Sequence, residues 1–138
     1  MAQTLKGRIL LSGIYVALGG AIGSVLRYFA GNFLEKINFT SFHSLLFINM
    51  LGSFIILFLP SLFAERLFFS ENMKAFWLTG FCGGFTTFSS FSAQNFALLQ
   101  KGAYTTAFFQ ISLSIVLCLF MSLLGFILGQ KLGKWVIF

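Results

Sequence analysis

Apolar residues dominate this 138-residue chain in four long stretches, and the charged residues stand almost wholly between them. The stretches run from about Ile9 to Leu34, Phe42 to Phe63, Ala75 to Leu99 and Tyr104 to Gln130. A helix that crosses a bilayer needs roughly 20 mainly apolar residues, so each is long enough for one crossing. Their connections carry Glu35 and Lys36, then Glu65, Arg66, Glu71 and Lys74, then Lys101. The pattern predicts an all-α integral membrane protein of four transmembrane helices (spans about 9–34, 42–63, 75–99 and 104–130). Short loops leave one domain, 1–138.

Composition supports the pattern. With 58% hydrophobic and 9% charged residues and a mean hydropathy of +0.94, the chain lacks the charge a soluble domain uses to cover itself. Its 21 Phe and single Pro suit helices facing lipid. The first apolar run continues past Gly20 and Gly23, which is too long for a cleaved signal peptide and reads as a retained span. Cys82 and Cys118 lie inside apolar segments without metal-ligand spacing and read as packing residues.

The net charge of +6 comes from Lys and Arg scattered singly rather than gathered on one face, so nucleic acid is not an expected partner. These residues are membrane-edge anchors and topology signals. With four spans, Lys6, Arg8, Arg66, Lys74, Lys131 and Lys134 share a side and Lys36 and Lys101 occupy the other. The positive-inside rule then places both termini in the cytoplasm.

Polar groups at membrane depth are costly, so the few present carry information. They are Arg27, Asn49, a run from Thr86 through Thr87, Ser89, Ser90, Ser92 and Gln94 to Asn95, and Gln110, Ser112, Ser114 and Ser122. No Asp or Glu lies within a span and the sole histidine, His43, stands near a span edge. That argues against a proton-coupled transporter, which needs such a group to carry its proton. Neutral donors with one cation suit an anion. Gly19, Gly20 and Gly23, and Gly52 with Ser53, form small-residue patches that serve either packing within a subunit or a dimer interface.

The segment from Gly80 to Ser92 is the most specific. Gly83 and Gly84 raise the backbone cost of a helix, and the hydroxyls that follow offer competing hydrogen bonds, so a break is expected in the third span. Carbonyls freed by a break can ligate a cation, provided the irregular backbone is buried or lines a cavity. Beyond it, Phe88, Phe91, Ser92 and Asn95 share one helical face. Ring edges carry positive partial charge, so two of them with hydroxyl and amide donors could hold a small hard anion.

These residues resemble the Fluc family of fluoride channels, also called CrcB proteins, over nearly the whole chain. The resemblance rests on Gly83-Gly84-Phe85-Thr86-Thr87-Phe88-Ser89-Ser90-Phe91-Ser92, with Gly23-Ser24-Val25-Leu26-Arg27 and Ile48-Asn49-Met50-Leu51-Gly52 on the first two spans. It implies a channel, not an enzyme, in the inner (plasma) membrane, where it passively exports fluoride. It also implies an antiparallel, dual-topology homodimer with two pores. A structural sodium ion at the dimer centre, held by the main-chain carbonyls of Gly83 and Thr86, is the one cofactor it implies, with no organic group.

The same resemblance maps the fluoride path to Phe88, Phe91 and Asn49, with a hydroxyl track of Ser89, Ser90 and Ser92 continued by Ser112, Ser114 and Ser122. Arg27 becomes an anion entrance, its other reading being an anchor that snorkels to the interface. For Asn49 the other reading is an interhelical hydrogen bond. Gln94 and Cys118 depart from the glutamate and serine that relatives often carry. The six-to-two charge bias leaves a second assembly open, a heterodimer with an oppositely oriented homologue.

Overall fold

The structure is a computed structural model that describes residues 2–63 and 69–135; Glu65 and Arg66, read above as loop charges, lie outside the described residues. Among the described residues every regular element is helical. Helix α1 spans Ala2–Lys36 and α2 spans Ser41–Leu62. A helical run then passes from α3 (Glu71–Lys74) through a π-helical segment (Ala75–Cys82) into α4 (Gly83–Phe85). Helices α5 (Phe88–Gln100) and α6 (Tyr104–Trp135) complete the order.

Three of these helices are long and apolar enough to cross a membrane: Gly7–Lys36, Ser41–Leu62 and Tyr104–Lys134. They match the first, second and fourth predicted spans, and α1 and α6 extend further toward the termini than hydropathy suggested. Large apolar side chains such as Leu10, Phe29, Phe108 and Leu119 stand exposed on them. In water that surface would be a liability; in lipid it is the ordinary exterior. The chain is a multi-pass helical membrane protein.

The stretch predicted as the third span, 75–99, is not one helix. Glycines 83 and 84 remain helical, and the helix stops two residues later, where Thr86 (φ −85°, ψ 159°) and Thr87 (φ −149°, ψ 117°) are extended. Thr87 caps the next helix, its Oγ1 accepting from the Ser90 amide at 3.3 Å, as a threonine N-cap does. Hydroxyl chemistry, rather than glycine flexibility, marks the interruption. Thr40 caps α2 in the same way, accepting from the His43 amide.

The turn between α5 and α6 needs Gly102 at φ +73°. Its amide and that of Ala103 close the end of α5 onto Leu99 and Leu98.

Glycine decides the packing. α1 lies on the π segment, and α2 lies chiefly on α6. A Cβ on Gly19 would overlap the Phe76 carbonyl, one on Gly23 the Phe81 carbonyl, and one on Gly84 the Gly20 carbonyl. Ser24 Oγ donates to the Gly84 carbonyl at 3.4 Å along the same seam. On the other side Gly125 and Gly129 seat against the carbonyls of Phe54 and Phe58. The first-span glycines therefore serve contacts within the chain, and Gly52 does so too, since a Cβ there would meet the Thr86 methyl. Lipid supplies no hydrophobic drive between helices, so close backbone approach replaces it.

Candidate functional site

Thr87 organises the site. Its amide donates to Asn49 Oδ1 at 3.0 Å, and Asn49 Nδ2 donates back to its carbonyl at 3.4 Å. Thr87 Oγ1 stands 3.0 Å from Ser89 Oγ and 3.3 Å from Ser90 Oγ. The amide and carbonyl of this one residue between two helix ends are thus both met by the Asn49 side chain from α2, and its hydroxyl by those of Ser89 and Ser90 in its own segment. Thr87 was visible in the sequence only as one of a polar run; its cap position before a helix was the signal that could have singled it out.

Beside it opens a cavity of about 490 Å³. Of the predicted site residues, Asn49, Gly83, Thr86, Phe88, Phe91 and Ser114 line it. Phe88 and Phe91 lie with ring centroids 5.5 Å apart and planes at 40°. Phe88 is 77% exposed, so packing within this chain does not explain it. Cys118, expected to pack, also lines the cavity, while Cys82 is fully buried at its wall.

The remaining predicted residues are distributed around it. Ser89 and Ser90 bond to Thr87, and Ser92 is exposed on α5. Ser114 donates to the Gln110 carbonyl at 2.8 Å, and Ser122 to the Ser53 carbonyl at 3.1 Å, joining α6 to α2. Ser112, half-buried on α6, is not among the cavity residues. Arg27 is half-buried on α1, its Nε buried without a partner among the described residues. Gln94 Nε2 donates to the Ser41 carbonyl at 3.2 Å, so this departure ties α5 to the start of α2.

The carbonyls of Gly83 and Thr86 suit a cation. In an unbroken helix the Thr87 amide would cap the Gly83 carbonyl and the Ser90 amide that of Thr86. Here the first goes to Asn49 and the second to the Thr87 hydroxyl. Gly83 is exposed, with nothing within 4 Å of a Cβ built on it, so a ligand could approach. Hard cations such as sodium prefer oxygen donors of this kind.

Comparison with known proteins decides the family. The model described as CrcB-like protein, Camphor Resistance (CrcB), matches residues 14–126. The chain belongs to the CrcB family. Curated CrcB relatives carry the name fluoride-specific ion channel FluC. The one from Azobacteroides pseudotrichonymphae is 45% identical over 116 residues, covering 83% of this chain and 93% of the relative. The one from Campylobacter fetus is 44% identical over 114 residues, 81% and 88% of the two chains. That from Parabacteroides distasonis is 41% identical over 116 residues, 83% and 90%. Every predicted site residue, from Arg27 to Ser122, falls inside the region that matches CrcB.

Proposed function

We propose that this CrcB protein is a fluoride-selective channel that lets cytoplasmic fluoride leave the cell passively. The observation that carries the reading is the convergence of Asn49, Phe88, Phe91 and Ser114 on one cavity, in a chain whose relatives are named fluoride-specific channels. Fluoride is small, hard and strongly hydrated, so a pore must replace its water with directional donors. Ring edges of Phe88 and Phe91 present positive partial charge. Asn49 gives one amide hydrogen to Thr87 and keeps a second, and Ser89, Ser90 and Ser92 continue the donors along α5. Ser112 extends the track on α6, while Ser114 and Ser122 give their protons to the Gln110 and Ser53 carbonyls and shape the wall rather than donate to the ion. Arg27 raises the anion concentration at an entrance. Selectivity over chloride follows from width and donor placement rather than a fixed charge, and no covalent bond is made or broken.

The run from Glu71 to Gln100 serves as the third of four crossings of a single domain, broken at mid-membrane by Thr86 and Thr87. Irregular backbone there must be covered by protein or line a cavity, yet Gly83 and Phe88 are exposed on the isolated chain. A second copy in antiparallel orientation covers that face and completes two pores. A homodimer is favoured over pairing with an oppositely oriented homologue, because this one chain carries Arg27, Asn49, Phe88 and Phe91 together. Gly83 and Thr86 carbonyls from both copies would hold a sodium ion at the centre. Bound there, it supplies positive charge that ties the two interruptions together. The plasma membrane is the location this role requires, since fluoride that enters as neutral HF ionises inside.

The test is fluoride efflux from liposomes containing only the purified protein, with chloride as control. Rapid fluoride-selective efflux is expected. Silence toward both anions, with folded protein in the vesicles, refutes the single-gene channel.

A further inference from the structure

The cavity beside Thr87 is longer than the group of residues read so far as the ion path. Along the third segment it is lined from Thr79 to Phe91, a helical advance of at least about 18 Å at ~1.5 Å per residue. Phe88, Phe91 and Asn49 hold one part of it. Two contacts fix how α2 runs beside the segment: Asn49 bonds to Thr87, and Gly52 packs against the Thr86 methyl. α2 therefore advances as the third segment recedes. Ser53 and Ile56, which line the cavity too, lie toward Cys82 and Thr79 and away from the aromatic pair.

Most hydroxyls that line the cavity have already committed their protons or lone pairs. Thr86 Oγ1 donates to the Cys82 carbonyl at 2.9 Å, Ser114 donates to the Gln110 carbonyl at 2.8 Å, and Thr87 Oγ1 lies among Ser89 and Ser90. The Ser53 and Thr79 hydroxyls make no such bond among the described residues; Ser53 takes part only through its carbonyl, which accepts from Ser122. Thr79 is also exposed on the π segment. Serine and threonine in a helix commonly turn back onto a carbonyl one turn earlier, as Thr86 and Ser114 do. A hydroxyl left free against lipid is costly. Facing a lumen that holds water or an ion, it keeps a proton to give.

We propose that Ser53 and Thr79 carry the fluoride path past Asn49, through the half of the cavity walled by Ile56, Leu78 and Cys82. Those three offer an anion nothing stronger than a thiol proton. A strongly hydrated ion leaving the Asn49 amide needs a donor in place of each water it sheds, and the two uncommitted hydroxyls supply them in turn, Ser53 one helical turn past Asn49 and Thr79 farther on. Both lie outside the motifs that carry the family resemblance. The inference rests on the channel reading and extends its path.

Efflux from liposomes loaded with potassium fluoride tests it. Thr79→Val removes the hydroxyl and keeps the shape, and Thr79→Ser keeps the hydroxyl. Thr79→Val and Ser53→Ala should each lower fluoride efflux by about tenfold, the scale of one hydrogen bond to an ion lost at the barrier. Thr79→Ser should conduct near the wild-type rate, and all three should elute with the wild type on size-exclusion chromatography. Wild-type efflux from Thr79→Val or Ser53→Ala overturns the proposal, as does an equal loss in Thr79→Ser and Thr79→Val. Silence of the wild type is a different result, which removes the channel reading and this extension with it. Thiol labelling gives a measure that needs no conduction. A charged, water-soluble methanethiosulfonate should modify Thr79→Cys, read from the mass of the peptide, and leave unmodified Phe108→Cys, whose position is exposed on α6 away from the cavity. Failure to label Thr79→Cys places that side chain against lipid and overturns the proposal.

Discussion

Asn49 and Thr87 grip each other twice across the gap between α2 and the two helix ends of the third segment, at 3.0 Å through the Thr87 amide and 3.4 Å through its carbonyl. The bond releases Gly83 from its helical donor and positions Asn49 at the cavity in one step. It makes the two readings of Asn49, interhelical hydrogen bond and ion contact, compatible rather than exclusive.

Asn49→Leu removes both bonds and leaves the Thr87 peptide unmatched. A loss of about 2–4 kcal/mol is expected from two uncompensated groups, seen as a lower melting temperature in detergent together with lost efflux. Unchanged melting would show that Thr87 finds other partners.

Phe88→Ile separates function from packing. Phe88 is so exposed on its own chain that folding of the subunit should hardly change. Fluoride efflux should fall by about tenfold or more, one ring-edge contact of roughly 1.4 kcal/mol at the barrier. Wild-type efflux from Phe88→Ile vesicles removes Phe88 from the path.

Gly23 and Gly83 should respond oppositely to a side chain. Gly23→Val drives a branched group into the Phe81 carbonyl and should destabilise by about 3 kcal/mol, giving aggregated protein on size-exclusion chromatography. Gly83→Ala meets nothing within its own chain at helical φ −63° and keeps its carbonyl, so the subunit should still fold and run without aggregation.

Sodium dependence follows from the diverted carbonyl donors. Melting temperature should rise with the logarithm of sodium concentration above Kd, a gain of about 2.7 kcal/mol at a hundredfold excess, and hardly at all with equimolar potassium. Equal response to both ions would mean no specific cation site.

Much of this was legible beforehand because its causes are local. Hydropathy sums over neighbouring residues, so three crossings appeared with boundaries within a few residues at α2. Glycine followed by hydroxyls pointed to residues 80–92, yet the interruption sits at Thr86 and Thr87, since Thr87 caps α5 and Asn49 takes its amide. Asn49 lies 38 residues from Thr87, and no spacing rule links them. Ser122 shows the same limit: its type suggested an ion contact, while its proton goes to the Ser53 carbonyl.

From its residues alone the chain is committed to lipid, to helices, and to a small set of neutral polar groups at depth, because solvent preference and helical period act over short stretches. Which of those groups meet was decided only by the tertiary structure. Glycine seams set how closely α1 approaches the π segment and α2 approaches α6, and that approach brings Asn49 to Thr87, Ser122 to Ser53 and Gln94 to Ser41. Hydrogen bonds work over about 3 Å, a distance that sequence separation cannot encode.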